Sequence, residues 1–192
     1  MARQIAILTR VVKSQLSLLD SLTLALATGV KCLGEIVLPD DRMPEAEVTL
    51  RLAMVIIENA PTNEDVVCDI YGAQVQVRSK VIFPILEFLS SKGWCRPSDE
   101  GRWQCGYKNE DYEQKIIVHS SAGEGDLVSK LNNGYTLRVE SKKGPLITKP
   151  GSQEYPLIRE AIGQLMTVEH ANDDDILAVA VPESEKFINL AI

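Results

Sequence analysis

The chain has 192 residues, 45% hydrophobic and 24% charged, which suits one packed domain and is too apolar for a disordered chain. Its formal net charge of −7 excludes binding of nucleic acid through bulk positive charge. No apolar run reaches the roughly 18–20 residues of a membrane span. The opening MARQIAILTRVVKSQ lacks the apolar core of a secretory leader, so a cytoplasmic protein with reduced thiols at Cys32, Cys68, Cys95 and Cys105 is expected.

Residues 1–30 carry apolar side chains at helical spacing, among them Ile5, Leu8, Val12, Leu16, Leu19 and Leu22, which predicts one or two helices stopping near Gly29. A loop is predicted over 31–44, then a helix over 45–60 closed by Pro61. Thr62 as a cap, with Glu64 and Asp65 behind it, predicts a short helix over 62–71. An amphipathic helix is predicted over 79–92, ending at Gly93. Beyond it the pattern turns to strands: a hairpin over 94–107, then strands at 115–119 and 125–131. The turn Asn132-Asn133-Gly134 favours positive φ, and 135–142 alternates strictly. A loop over 144–156, a helix over 157–168 and a wholly apolar strand over 176–181 complete the order. Helix, strands, helix, strand describe an α/β core at 77–192 with a central mixed sheet flanked by helices, preceded by an N-terminal helical region at 1–76. Leucine-rich helices outside a small core need a surface to bury, and a homodimer contact is one use for them.

Neither half of the chain is basic. Between Lys130 and Lys149, however, stand Lys130, Arg138, Lys142, Lys143 and Lys149 against the single acid Glu140. Glu140 and Lys142 are two apart on a strand and so share a face. A hairpin centred near residue 133 sets Asp126 opposite Glu140. Two adjacent carboxylates repel unless a cation lies between them, which suits a hard divalent ion such as Mg²⁺ or Mn²⁺. A lysine beside such a site orients water and stabilises charge developing on a phosphate. Taken alone, Asp followed by Glu-x-Lys also fits a surface hairpin carrying a cross-strand ion pair.

The succession Gly125-Asp126-Leu127-Val128, Arg138-Val139-Glu140-Ser141-Lys142-Lys143-Gly144, a helix containing Arg159 and Gln164, and the apolar strand to Pro182 resembles the PD-(D/E)xK nuclease superfamily over 79–192. That resemblance implies a restriction-endonuclease-like core and a Mg²⁺- or Mn²⁺-dependent nuclease acting on nucleic acid, DNA in the first instance. It places Asp126, Glu140 and Lys142 on the catalytic triad, with Gln164 as an auxiliary residue of the following helix. Asp126 and Glu140 would be metal ligands, and Glu87 the additional carboxylate from the preceding helix. Lys143, Lys149 and Arg159 would hold phosphates. Gly125 stands where the family often has proline, and Glu124 shares a face with Asp126.

Other residues point elsewhere. His119 and His170 lack zinc spacing, Cys95 and Cys105 suit a facing thiol pair better than half a zinc site, and Trp94 and Trp103 suit packing. The segment 62–107 also resembles a winged helix-turn-helix, with Arg78 and Lys80 opening the recognition helix and 95–105 as the wing. A nuclease fold serving only as a non-catalytic interaction protein is a further alternative.

Overall fold

A computed structural model describes residues 5–9, 41–59, 62–97, 102–121, 125–146, 154–168 and 172–191. In chain order the elements are β1 (Ile5–Thr9), β2 (Arg42–Met43), α1 (Glu45–Glu58), β3 (Val66–Asp69), α2 (Gly72–Val75), β4 (Gln76–Val77), β5 (Lys80–Val81) and α3 (Ile85–Ser91). There follow β6 (Gly106–Tyr107), β7 (Ile116–His119), β8 (Leu127–Lys130), β9 (Thr136–Ser141), β10 (Gly144–Pro145), α4 (Glu154–Leu165), β11 (Asp175–Pro182) and α5 (Glu185–Ala191). The fold is α/β, built on a seven-stranded mixed sheet in the order β1-β11-β9-β8-β3-β7-β6. Among the described residues no helix is long and apolar enough to cross a membrane.

Several sequence expectations are met closely. The helix over 45–60 is α1, and the strands at 115–119, 125–131 and 135–142 are β7, β8 and β9. The turn holds Gly134 at φ 90°, with its N–H donating to the Leu131 carbonyl at 2.9 Å. Leu127 pairs with Val139 and Lys130 with Thr136, so the hairpin is centred on residue 133 as its turn predicts.

The N-terminal region is corrected in two places. Residues 5–9 form a strand that pairs antiparallel with β11, and 66–69 form a strand between β8 and β7. A division at 76/77 therefore cuts through the sheet. The run Val66-Val67-Cys68 favours extended backbone because β-branched side chains lose rotamer freedom in a helix. Thr62 does use its hydroxyl locally, accepting the Glu64 N–H at 3.0 Å, but this closes a turn rather than starting a helix. Asp65 likewise accepts the Lys115 N–H at 2.8 Å and ties β3 to β7.

The helix expected over 79–92 shortens to α3, because Pro84 lacks an N–H and starts the helix. Arg78 and Lys80 consequently lie on the β4–β5 hairpin, not on a recognition helix, and the winged-helix reading loses its central element. Cys95 is exposed and its backbone pairs with Lys108, so it does not face Cys105. Trp94 is buried and stacks on Tyr112 at 5.9 Å, a packing role as expected.

The two faces of the sheet bury separate cores. On one, α1 lies across β3, β9 and β11, and its Leu50, Leu52, Ala53, Ile56 and Ile57 pack with Val66, Cys68, Leu127, Val139 and Ala178. On the other, among the described residues, Ile158, Ala161 and Leu165 of α4 and Phe187 of α5 pack on Val179 and Val181 of β11, and α4 also contacts β9. Val67, Ile117 and Val128, which face the same way from β3, β7 and β8, are half-exposed. These three form a partly exposed apolar floor beside α4 among the described residues.

Candidate active site

At one end of that floor four titratable residues stand in a row across adjacent strands. His119 is in register with Asp69 through the parallel β7–β3 pairing. The Asp69 N–H donates to the Asp126 carbonyl at 2.9 Å, and Asp126 continues the β8–β9 register opposite Glu140. Residues directly opposite in a sheet share a face, so all four side chains emerge on the open side, with roughly 4.8 Å between neighbouring strands.

Asp126 sits one residue before β8. Its Oδ2 accepts the Ser141 N–H at 2.7 Å, so the carboxylate takes over where backbone pairing ends. Asp126 is hydrogen-bonded to the Glu140 carboxyl, and burial is the main cause that raises both acids above the ordinary carboxylate range. The Glu140 charge adds to this at Asp126, whose carboxyl is pushed up to about 7, while Glu45 adds to it at Glu140. The pair therefore holds one proton between them near neutrality and titrates as a unit.

Lys142 completes the group. It is 3% exposed, with its Nζ 3.8 Å from Glu140 Oε2 and 3.6 Å from Glu160 Oε1 on α4. Its positive charge lowers both acids of the pair, opposing burial. The backbone N–H of Lys142 donates to the Ala180 carbonyl at 2.8 Å, which anchors the strand end to β11. Farther along the same face, Arg138 pairs with Asp175 at 3.0 Å and fixes β9 to β11.

Gly125 explains the absent proline. It has φ 126°, far from the φ near −65° that proline imposes. A Cβ here would lie 3.0 Å from the Val139 carbonyl oxygen. Gly125→Ala is expected to cost about 1–3 kcal/mol of stability and to displace Asp126 from Ser141. Denaturant unfolding of the purified variant measures the first effect. An unchanged midpoint would show that the loop before β8 relaxes freely.

The acid whose charge reaches the pair is Glu45 of α1, while Glu87 of α3 lies away from it. Glu87 is exposed on α3, whose Ile85, Phe88 and Leu89 pack into the core on the opposite face of the sheet. Glu45, in the first turn of α1, raises both Asp126 and Glu140 by its charge. Its Oε1 accepts from Gln74 Nε2 of α2 at 2.9 Å and its Oε2 from the Lys143 N–H at 3.5 Å. Among the described residues no three His, Cys, Asp or Glu side chains gather closely enough to hold a metal as a set, so Glu45 acts at longer range than the pair. Glu45→Gln is expected to weaken metal affinity about 10- to 100-fold, whereas Glu87→Gln changes nothing. Isothermal titration with Mn²⁺ checks both, and a loss with Glu87→Gln but not with Glu45→Gln would return the role to Glu87.

The remaining sequence candidates stand farther out. Gln164 is exposed on α4, one turn beyond Glu160 and on the same helical face. Lys143 is exposed past the end of β9. Arg159 is exposed with its guanidinium 5.7 Å from the Tyr155 ring. Lys149, Glu124 and His170 lie outside the described residues. His119 ends the row on the far side of Asp69, its Nδ1 3.6 Å from Asp69 Oδ1 and 3.1 Å from Ser121 Oγ. Comparison with protein-family models, with curated proteins and with solved structures finds no match to this chain.

Proposed function

We propose that this protein is a metal-dependent nuclease with a restriction-endonuclease-like core, hydrolysing phosphodiester bonds in nucleic acid, DNA in the first instance. The observation that carries this reading is the meeting of Asp126, Glu140 and Lys142 at one strand end above an open sheet face. Two desolvated carboxyls sharing a proton are poor partners for each other and good hard-oxygen donors for a divalent cation, so the residues fit Mg²⁺ or Mn²⁺. A bound ion would supply Lewis-acid polarisation of the phosphate and a more acidic water.

The chain's own residues do the rest. Asp126 and Glu140 would hold the ion, releasing their shared proton to solvent. Lys142, locked by its two carboxylate neighbours and the Ala180 carbonyl, presents a fixed positive charge where negative charge gathers on the phosphoryl oxygens. The half-exposed floor of Val67, Ile117 and Val128 offers room for a sugar or base beside the scissile bond.

The test is cleavage of a panel of labelled DNA and RNA oligonucleotides with Mg²⁺ or Mn²⁺. Cutting that stops with chelator and with Glu140→Gln supports the reading. If the wild type cuts nothing with either ion, or Glu140→Gln cuts equally well, the site is not a nuclease centre and a non-catalytic role replaces it.

A further inference from the structure

Between Asp69 and Glu87 the chain carries no acid, only Arg78 and Lys80, in a protein of net charge −7. The same stretch exposes four large apolar side chains: Tyr71 at 71%, Val77, Val81 and Ile82. Three of these, with Arg78 and Lys80, belong to the β4–β5 hairpin and the residue after it, and every residue from Gln76 to Ile82 is exposed. Arg78 turns the hairpin at φ 54°, with its carbonyl accepting from Gln76 Nε2 at 2.6 Å. Single exposed hydrophobics are ordinary; here Val77 shares one face of the hairpin with Lys80, Val81 lies on the other face with Gln76, and Tyr71 precedes α2, so apolar side chains and two cations are exposed together along a short stretch.

The projection stands at the catalytic end of the sheet. Tyr71 follows Asp69 by two residues, and Asp69 is the strand neighbour of Asp126. The hairpin grows directly from α2, whose Gln74 holds Glu45. A polymer bound at the carboxylate pair and running toward β3 would meet Tyr71, from which α2 leads to the hairpin.

We infer that the β4–β5 hairpin and Tyr71 bind unpaired bases, and that the substrate of this site is single-stranded or locally unwound nucleic acid. The choice of nucleic acid rests on the nuclease reading above; the choice of single strand rests on the surface. A duplex presents phosphates, and binding it takes a row of cations that this surface lacks. A single strand presents base faces, which stack on tyrosine and pack on valine and isoleucine whatever their sequence. Arg78 and Lys80 then pair with the intervening phosphates.

The experiment measures anisotropy of a fluorescein-labelled 20-nucleotide DNA strand and of the same strand as a duplex, in chelator so that nothing is cut. The wild type is expected to bind the single strand at least about tenfold more tightly than the duplex. Tyr71→Ala is expected to weaken single-strand binding by about 5- to 150-fold, the range for losing one stacked base, and Tyr71→Phe to retain it. Arg78→Ala with Lys80→Ala is expected to flatten the log–log salt dependence by about 1.4. All of these residues are exposed, and circular dichroism confirms that each variant keeps its fold. Preference for the duplex, absence of binding by the wild type, or unchanged binding by Tyr71→Ala overturns the inference. Cleavage with Mg²⁺ separates the two ideas. If the wild type cuts but Tyr71→Ala binds and cuts alike, the hairpin assignment alone falls. If nothing is cut and Tyr71→Ala still loses the strand, the nuclease reading alone falls.

Discussion

Lys142→Met is expected to lower phosphodiester cleavage by about 10²- to 10⁴-fold, the loss typical of removing one positioned charge or proton-handling group. Methionine is chosen because it keeps the buried stem, whereas alanine would also open a cavity. Metal affinity should change only a few-fold, because two effects oppose each other. Losing the ammonium removes a charge that repels the cation, but it also leaves Glu140 with less reason to ionise. Glu160, mostly exposed, can turn to water when its partner goes. Lys143→Ala is the control, since Lys143 is exposed past the end of β9 whereas Lys142 is buried. Its main-chain contact with Glu45 survives the substitution, and its activity should stay within a few-fold of wild type. Single-turnover rates with Mn²⁺ titrations on the three proteins decide the matter. Equal rates for Lys142→Met and wild type would remove lysine from the chemistry.

The second large effect is in stability. Burial and repulsion raise the Asp126–Glu140 pair, so the folded protein holds protons that the unfolded chain has released. The pair's stabilising contribution is fully present below the ordinary carboxylate range and disappears as pH rises toward about 7, where Asp126 ionises in the folded state. In chelator the melting temperature should therefore fall across that window more steeply for wild type than for Glu140→Gln. The difference between the two proteins isolates the pair from other groups, such as Glu58, that burial also raises. Mg²⁺ or Mn²⁺ should reverse the fall at neutral pH, since a cation at 100 times its dissociation constant adds about 2.7 kcal/mol. For a chain of this size that is roughly 5–10 °C. Differential scanning calorimetry at pH 5 and 7.5 measures it. Parallel curves for the two proteins, with no response to metal, would mean that the carboxyls are not coupled to ion binding.

What the sequence makes legible follows from how far its interactions reach. The β8–β9 hairpin is local: its turn residues and strict alternation fix the register, and with it the meeting of Asp126, Glu140 and Lys142. Glu45 is another matter. A glutamate in the first turn of a helix is fully explained by the helix dipole, and 98 residues separate it from the Lys143 N–H it accepts from. The row from His119 through Asp69 to Asp126 is equally hidden, because it depends on which strands become neighbours. Glu87 attracts attention only while the helix is read as starting at residue 79. Pro84 moves that start, and α3 then packs away from the site. The strands β1 and β3 were masked by apolar spacing and capping residues that fit a helix as well, and only their β-branched content argued otherwise.

The order of strands also dictates an order of assembly. β11 is the last strand of the sheet along the chain, yet it lies between β1, the first, and β9. Ile5 waits for Pro182, and the strand carrying Glu140 gains its second neighbour only when 175–180 arrives. Such long loops are entropically slow to close, so β1 and β11 join the sheet late. A ribosome-bound chain that stops short of β11 can make the β8–β9 hairpin but lacks the Ala180 carbonyl that anchors Lys142. The anchored arrangement of Glu140 and Lys142 is thereby withheld until residue 180 has been made.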